Sequence, residues 1–302
     1  MLKCLNMKKG QGAEFNWIFV LVAGAIVLGF FVMFTFRYVD LQNKKSTVTV
    51  GRNLVEGLNL LETSQLDTTI NLIYSSNLKF SCGKTNKVVI NDYYSQDVDE
   101  ILYVSPEIRT NNLNAWFKTW KYPFKITNFL FMNSPYDSYV LVDPPEWVEI
   151  PERMNFKTVN RGEKLKNASR IIFFDMPTQT ELKDIRENAV VIGEDKIRFF
   201  DKKSYKDIDV IDDIFKYGAM FSNAADYECN VNKALERLKL IANIYSNKAY
   251  ILSIIDTRSE CDYSFIKNQL EKIGEGELNK EFIKGLEEQN LDLVGRGCYN
   301  VF

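Results

Sequence analysis

An uncharged apolar run near the N-terminus, residues 15–36, is the strongest hydrophobic pattern in the chain. Asn16 and Thr35 are its only clearly polar members. A helix over this run is roughly 33 Å long at about 1.5 Å per residue, enough to cross the hydrocarbon core of a bilayer. Trp17 and Tyr38 lie near its two ends, where aromatic side chains favour the membrane interface. The pattern therefore predicts one transmembrane helix; the alternative is a buried core helix, which seldom continues so long without a charge.

Basic residues flank the apolar run on both sides: Lys3, Lys8 and Lys9 before it, and Arg37, Lys44 and Lys45 after it. Because the two groups are nearly balanced, the positive-inside rule does not decide which end faces the cytoplasm. A cleavable secretory signal fits less well, because its apolar region is usually shorter and ends at a small-residue cleavage site.

Residues 37–62 predict a helical stalk that continues the anchor, because apolar positions recur there at a rough helical spacing (Val48, Leu54, Val55, Leu58 and Leu61). Residues 66–156 then predict mainly strands, since short β-branched and aromatic runs alternate with polar turns. The runs are 69–74, 78–82, 87–90, 101–104, 124–132 and 139–142. Residues 133–137 predict a hairpin loop between the last two runs, and residues 112–120 predict a short helix.

The last part of the chain predicts an α/β arrangement. Residues 170–174 and 190–192 read as buried strands, and a capping box at Thr178 and Glu181 opens a helix between them that extends to about residue 188. Strand, helix and strand in succession predict a parallel, right-handed βαβ step. A turn at 193–195 leads to a further strand at 196–200. Helices then dominate, over residues 209–221, 230–255, 263–273 and 280–289.

The predicted fold class is therefore α+β, with a single N-terminal transmembrane helix followed by an ectodomain. The ectodomain has a β-rich first part and an α/β, helix-rich second part. The predicted divisions are a leader at 1–10, the transmembrane helix and stalk at 11–62, the β-rich part at 63–160 and the α/β part at 161–302.

Composition narrows the possible functions. The chain of 302 residues contains no histidine, which excludes Ser-His-Asp and Cys-His catalysis and His-ligated zinc. The net charge of −2, with short basic clusters interleaved with acids, gives no reason to expect a nucleic-acid partner. No motif indicates a cofactor.

The residues just before the apolar run carry a resemblance to a known family. The segment Lys8, Lys9, Gly10, Gln11, Gly12, Ala13, Glu14 resembles the class III signal of archaeal type IV pilin-like membrane proteins. In that family the prepilin-type peptidase cleaves after the Gly, Gln opens the mature chain, and the Glu pairs with the N-terminal amine of a neighbouring subunit. The resemblance covers about 30 of the 302 residues and brings no known activity with it.

The resemblance implies cleavage between Gly10 and Gln11, a cytoplasmic N-terminus and an extracellular C-terminal domain. It also implies association with further copies of this chain or with pilin-like subunits through the N-terminal helix. Glu14 would be the fourth residue of the mature chain, where the family usually has Glu at the fifth. The alternative for Glu14 is a charge that lies among the lipid headgroups.

Cysteine placement agrees with an ectodomain in an oxidising compartment. Cys4 precedes the apolar run, whereas Cys82, Cys229, Cys261 and Cys298 follow it, an even number that can form disulfides. A Cys229–Cys261 bond is disfavoured because the predicted helix over 230–255, some 39 Å long, separates the two residues. We favour the pairs Cys82–Cys229 and Cys261–Cys298; the alternative is four buried free thiols.

Candidate functional side chains are few. Asp175 follows the strand at 170–174, where a carboxylate can hold a metal or act as a general base; the alternative is a helix-capping or turn carboxylate. Trp116 and Trp120 share a face of the predicted helix, which would bind sugars or a partner if exposed and form core if buried. Asn167 begins a glycosylation sequon.

The sequence thus favours a cell-surface, membrane-anchored structural or interaction protein over an enzyme. Its expected partners are the lipid bilayer and, through the resemblance, copies of itself or pilin-like subunits. The alternative is a membrane-anchored, carboxylate-type enzyme that acts on envelope material, with Asp175 as the first residue to test.

Overall fold

The computed structural model describes residues 11–64, 67–163, 165, 168–183, 185–278 and 280–302. The leader at 1–10, which includes Gly10, the side chains of Gln11 and Glu14, and Asn167 of the sequon lie outside the described parts of the chain. The chain divides into two units, Met1–Thr49 and Val50–Phe302.

Helix α1 (Gln11–Ser64) contains both the predicted transmembrane run and the predicted stalk. Its most apolar window of 18 residues has a mean hydropathy of 2.7 and is not buried inside the protein. The large apolar side chains from Trp17 to Leu41 are between 47% and 72% exposed. The hydroxyl of Thr35 is satisfied within the helix, because it donates to the carbonyl of Phe31 at 2.8 Å. Among the described residues, α1 is the one helix long and apolar enough to cross a membrane.

Strands β1 to β6 form a six-stranded sheet within the described part of Val50–Phe302, in the order β3-β2-β1-β5-β6-β4. Neighbouring strands pair antiparallel, except that β4 and β6 pair with each other in parallel. The strands are β1 (Thr68–Ser81), β2 (Asn86–Ile90), β3 (Tyr94–Val98), β4 (Ile101–Tyr103), β5 (Glu107–Lys121) and β6 (Lys125–Asn133). The β-rich character expected of this region is confirmed.

Two local predictions in this sheet are wrong. Residues 112–120 form no helix but lie in β5, which pairs with β1 on one side and β6 on the other. Their Trp, Phe and Thr side chains suit a pleated surface, and pairing on both edges overrides the helical spacing. The runs 69–74 and 78–82 belong to one strand, β1, whose pairing with β5 shifts register between Asn71 and Ser76.

The part of α1 from Val50 onward packs on one face of this first sheet. Val50, Leu54, Leu58 and Leu61 are buried in one cluster with apolar side chains of the sheet. Gly57 lies so close to the sheet that a Cβ there would come within 2.8 Å of Ile70. The predicted stalk helix is confirmed, and its last part is a structural element of the folded domain.

Strands β7 to β12 form a second sheet within the described residues, in the order β12-β11-β10-β9-β7-β8. Strands β7 to β10 are mutually parallel, whereas β11 and β12 are antiparallel additions at one edge. The strands are β7 (Tyr139–Val142), β8 (Phe156–Val159), β9 (Arg170–Phe173), β10 (Ala189–Ile192), β11 (Lys196–Phe200) and β12 (Tyr205–Asp209).

The parallel βαβ step is confirmed, because β9 and β10 pair in parallel and α2 (Gln179–Leu182) lies between them in the chain. Thr178 and Glu181 form the predicted capping box, but α2 ends at Leu182 and does not extend to residue 188. The hairpin predicted at 133–137 is wrong, because β6 and β7 belong to different sheets. The chain therefore changes sheet there, and both sheets lie in one compact unit.

Helices α3 (Asp213–Phe221), α4 (Ala224–Ile255), α5 (Ser264–Glu275) and α6 (Lys280–Gly295) complete the domain. Helix α3 packs against strands of both sheets, and α4 packs against the first sheet on one side and α5 on another. The main core accordingly combines side chains from both sheets and all four helices. Helices α3 and α4 begin at other residues than predicted. Helix α3 begins at Asp213 and not at residue 209, which ends β12, and α4 begins at Ala224 and not at residue 230.

The C-terminus is docked on the domain. Val301 is fully buried, and its backbone N–H donates to Oδ1 of Asn290 at 3.0 Å. The Nδ2 of Asn290 in turn donates to the carbonyl of Phe302 at 3.1 Å. Val301 and Phe302 therefore pack on the domain.

Candidate functional site

A crevice opens at the carboxyl end of the parallel strands in the second sheet. The chain passes from β7 outward to β8 and then returns across the sheet to β9 on the other side of β7. The loops after β7 and β9 therefore diverge, which leaves a gap between them. In open α/β sheets such a switch point is where ligands bind.

Acidic residues line this crevice, a cavity of about 540 Å³. Asp143 directly follows β7, Asp175 is the second residue after β9, and Glu194 and Asp195 lie in the turn between β10 and β11. Asp213, at the start of α3, adds a fifth carboxylate. The structure therefore brings Asp175 together with four acids from three other segments of the chain.

Lys216 supplies the positive charge in the described lining of the crevice. It is only 6% exposed, although it lies on the first turns of α3. Its Nζ pairs with Asp213 at 2.8 Å and lies 5.2 Å from the centre of the Trp147 ring. The loop that carries Trp147 is held by Tyr217, whose hydroxyl donates to the carbonyl of Trp147 at 2.9 Å. Lys216 and Trp147 thus form one fixed wall.

Four of the five carboxylates are free to act on a ligand. Among the described residues, none donates a hydrogen bond to, or forms an ion pair with, the side chains of Asp143, Asp175, Glu194 or Asp195. The capping role considered for Asp175 belongs to Thr178 instead. Arg161 holds this loop through the backbone, donating to the carbonyl of Asp175 at 3.3 Å. Unpaired carboxylates at the mouth of a cleft suit a hard divalent cation or proton transfer.

Sequence reasoning found only one residue of this crevice. Asp143, Asp195 and Lys216 were missed, although each acid follows a short buried strand directly or across a turn. The repeated pattern of a buried strand followed by an acid could have indicated these carboxylates. No sequence pattern indicates Lys216, because a lysine in an amphipathic helix normally faces water.

The two tryptophans considered as a binding surface lie in the core. Trp120 is 1% exposed, and its ring centroid lies 4.9 Å from that of Phe215 and 5.8 Å from that of Phe129. Trp116 is half-buried against Phe131 and Tyr217. The two side chains share a face, as predicted, but the reason differs: they lie in a strand, where side chains four residues apart also point to the same side. Neither forms an exposed stacking platform.

Two disulfides join the pairs favoured from the sequence. Cys82, in the turn after β1, bonds to Cys229 in the second turn of α4, across 147 residues. Cys261, before α5, bonds to Cys298, after α6, across 37 residues. The first bond therefore fixes α4 to the first sheet, and the second closes the C-terminal helices.

An acid beside the second disulfide does not form a metal site. Asp256 lies within 4.8 Å of the sulfurs of Cys261 and Cys298, but these are bonded to each other and are not thiolate ligands. Its carboxylate instead accepts from Nε of Arg258 at 2.7 Å and from the hydroxyl of Tyr263 at 2.8 Å. These bonds hold the pKa of Asp256 well below its usual range, the contact with Arg258 having the largest effect.

Comparison with known proteins gives no significant match: no family model, curated protein or solved structure matches this chain.

Proposed function

We propose that this protein is a single-pass membrane protein whose folded domain, Val50–Phe302, faces outward and serves as a structural or interaction module at the cell surface. The observation that carries the proposal is the exposed apolar length of α1. Every large apolar side chain from Trp17 to Leu41 is at least 47% exposed, a surface that water disfavours and that lipid accommodates.

The two disulfides support an outward-facing domain. Structural disulfides form and persist outside the cytoplasm and are rare within it, because cytoplasmic thiols are kept reduced. The bonded cysteines all follow the apolar helix in the chain. The orientation we propose is therefore a cytoplasmic N-terminus and an extracellular C-terminal domain.

A type IV pilin-like character is the finer part of the proposal. It rests on the resemblance of residues 8–15 and on the continuity of α1 from the apolar run into the stalk. It implies cleavage between Gly10 and Gln11. Mass spectrometry of the mature N-terminus tests this: a chain that starts at Gln11 supports processing, and a chain that starts at Met1 shows an ordinary signal anchor.

The anchor itself is tested by placing charges in the apolar run. Arginine at a bilayer centre costs about 3 kcal/mol on insertion scales, so Ile26→Arg with Phe30→Arg should release the chain from membranes in alkaline carbonate. The matched control is Glu56→Arg with Leu60→Arg, an exposed pair at the same spacing in the stalk. Release of the unaltered chain by carbonate, or equal release of both variants, would refute the anchor.

The acidic crevice favours a second candidate, a membrane-anchored carboxylate-type enzyme that acts on envelope material. The supporting observation is that Asp175 shares a crevice at a strand-order switch point with three further unpaired carboxylates. In this function Asp175 and Asp143 bind a divalent cation or serve as general base, and Lys216 orients an anionic group of the substrate.

Tryptophan fluorescence, to which Trp147 in the crevice wall contributes beside three other tryptophans, tests this candidate. Mg²⁺ or Ca²⁺ titrated into the full chain in detergent should change the emission, and Asp175→Asn should weaken the apparent affinity at least severalfold. Asp209→Asn, an exposed acid outside the crevice, is the control. If Asp175→Asn and Asp209→Asn behave alike in both cation binding and turnover of envelope polymers, the enzyme proposal fails.

A further inference from the structure

The C-terminal half of α4 exposes a continuous apolar face. Leu240, Ile244, Ile251 and Ile254 are 54% to 62% exposed, although the opposite side of the same helix is core. Tyr250 and Ile255 widen the face and are 54% and 61% exposed. Lys248 is the only charged residue between positions 240 and 255. An exposed helix face of a soluble domain normally carries several charges, so this one needs an explanation.

The spacing of this face is that of a helix–helix seam. Positions 240, 244, 247, 251 and 254 follow one another at intervals of four, three, four and three, the repeat by which two helices bury a common stripe. Asn247 is the one polar member. A single Asn in such a seam restricts how two helices align, because its amide needs a partner there.

The face is large enough for association. Six exposed side chains present on the order of 600 Å² of apolar surface, the upper end of the range for the largest apolar patch on a typical monomer. With the polar residues between them, they approach the roughly 800 Å² per partner of a standard interface. A lipid surface is a poorer occupant, because interfacial helices carry basic flanks and aromatic residues, whereas this face has Lys248 and Tyr250 alone.

We propose that a second copy of this chain covers this face, so that the α4 helices of two copies pack against each other along the stripe from Leu240 to Ile254. The pairing is isologous, with the same surface contributed by both copies. This pairing is separate from the anchoring function, because the two α4 helices would pack together in detergent as well as in a membrane. Anchoring in one membrane raises the local concentration of the copies and so favours the dimer.

Cysteine crosslinking of the full chain tests the pairing. In a Cys4→Ser background, which removes the one cysteine outside the two disulfides, Asn247→Cys should give a crosslinked dimer under mild oxidation. Asn268→Cys, an exposed Asn on α5, is the matched control. We expect roughly tenfold more dimer from Asn247→Cys, because a disulfide needs Cβ atoms within about 4.5 Å. Equal yields, or no dimer from either variant, would overturn the proposal.

Charge substitution supplies a second, independent measurement. Ile244→Glu with Ile251→Glu places like charges in the seam at exposed positions, where they do not disturb the core. The chain in detergent should shift from dimer to monomer in light scattering while its far-ultraviolet circular dichroism stays unchanged, because the fold itself is kept; Asn268→Glu should leave the dimer intact. A dimer that survives the double substitution, or an unaltered chain that is already monomeric, would contradict a seam on α4.

Discussion

At the scale of single residues, a few buried polar contacts determine how the helices sit on the sheets. Asn230, near the start of α4, donates from Nδ2 to the carbonyl of Leu102 at 2.7 Å and accepts at Oδ1 from Nδ2 of Asn86 at 3.1 Å. Arg170 of β9 donates to the carbonyls of Ala219 and Ser222 at the end of α3. Such groups are costly to bury unpaired, so each contact specifies one docking position.

Asp256 should make stability depend on pH in the acid range. Its pKa is depressed by Arg258, so its contribution is complete above the ordinary carboxyl pKa near 4 and is lost as pH falls through the lowered value. The difference in unfolding free energy between the unaltered chain and Asp256→Asn should be constant from pH 8 to about 5 and shrink below about 4. Urea unfolding at pH 7 and pH 3 measures it; an undiminished difference at pH 3 would refute the contact.

Gly218 should not tolerate a side chain. A Cβ there would lie 2.6 Å from the ring of Tyr103, which is fully buried. Gly218→Ala should therefore destabilise the domain by about 1–3 kcal/mol through overpacking. The control is Gly285→Ala in α6, where the nearest atom is 3.8 Å away and alanine should stabilise the helix. Equal melting temperatures for the two variants would contradict the close approach of α3 to β4.

At the scale of elements, the sequence was most informative where one local pattern dominates. The helix over the apolar run, the stalk helix, the capping box at Thr178 and the end of α4 at Ile255 are set by short-range spacing and were predicted correctly. Residues 112–120 were misassigned because their aromatic spacing fits a helix and a strand equally well, and only pairing with β1 and β6 decides. The hairpin at 133–137 failed because the sheet to which a strand belongs is a long-range property.

The crevice could not be predicted for the same reason, because it also depends on long-range strand order. Asp175 was recognisable as an acid at a strand end, but its partners come from three other segments. Asp143, Asp195 and Asp213 meet it only through the order of the strands, which no local pattern records. Sequence reasoning could therefore name a candidate residue but not its site.

The two disulfides should contribute unequally to stability. In the chain-entropy account, a crosslink that closes a longer loop restricts the unfolded chain more. Removing Cys82–Cys229, which spans 147 residues, should cost about 1 kcal/mol more than removing Cys261–Cys298, which spans 37. Paired Cys→Ala variants, unfolded in urea, give the comparison. A larger loss from the shorter loop would show that native packing, not chain entropy, governs these bonds.

At the scale of the whole molecule, three features point to one arrangement. An exposed apolar helix long enough to span a bilayer precedes the folded domain, and that domain contains two disulfides. The domain also exposes an acidic crevice and the apolar face of α4, through which it can meet ligands or another copy. A membrane-anchored module at the cell surface accounts for all of these features together.

The most direct test of this account is to label intact cells that produce the protein with a membrane-impermeant amine reagent and map the labelled lysines by mass spectrometry. Lys84, Lys202, Lys203 and Lys284 are exposed on the folded domain. The account predicts that they react in intact cells, and to the same extent as after lysis. Labelling of these lysines only after the cells are opened would place the domain in the cytoplasm and contradict the account.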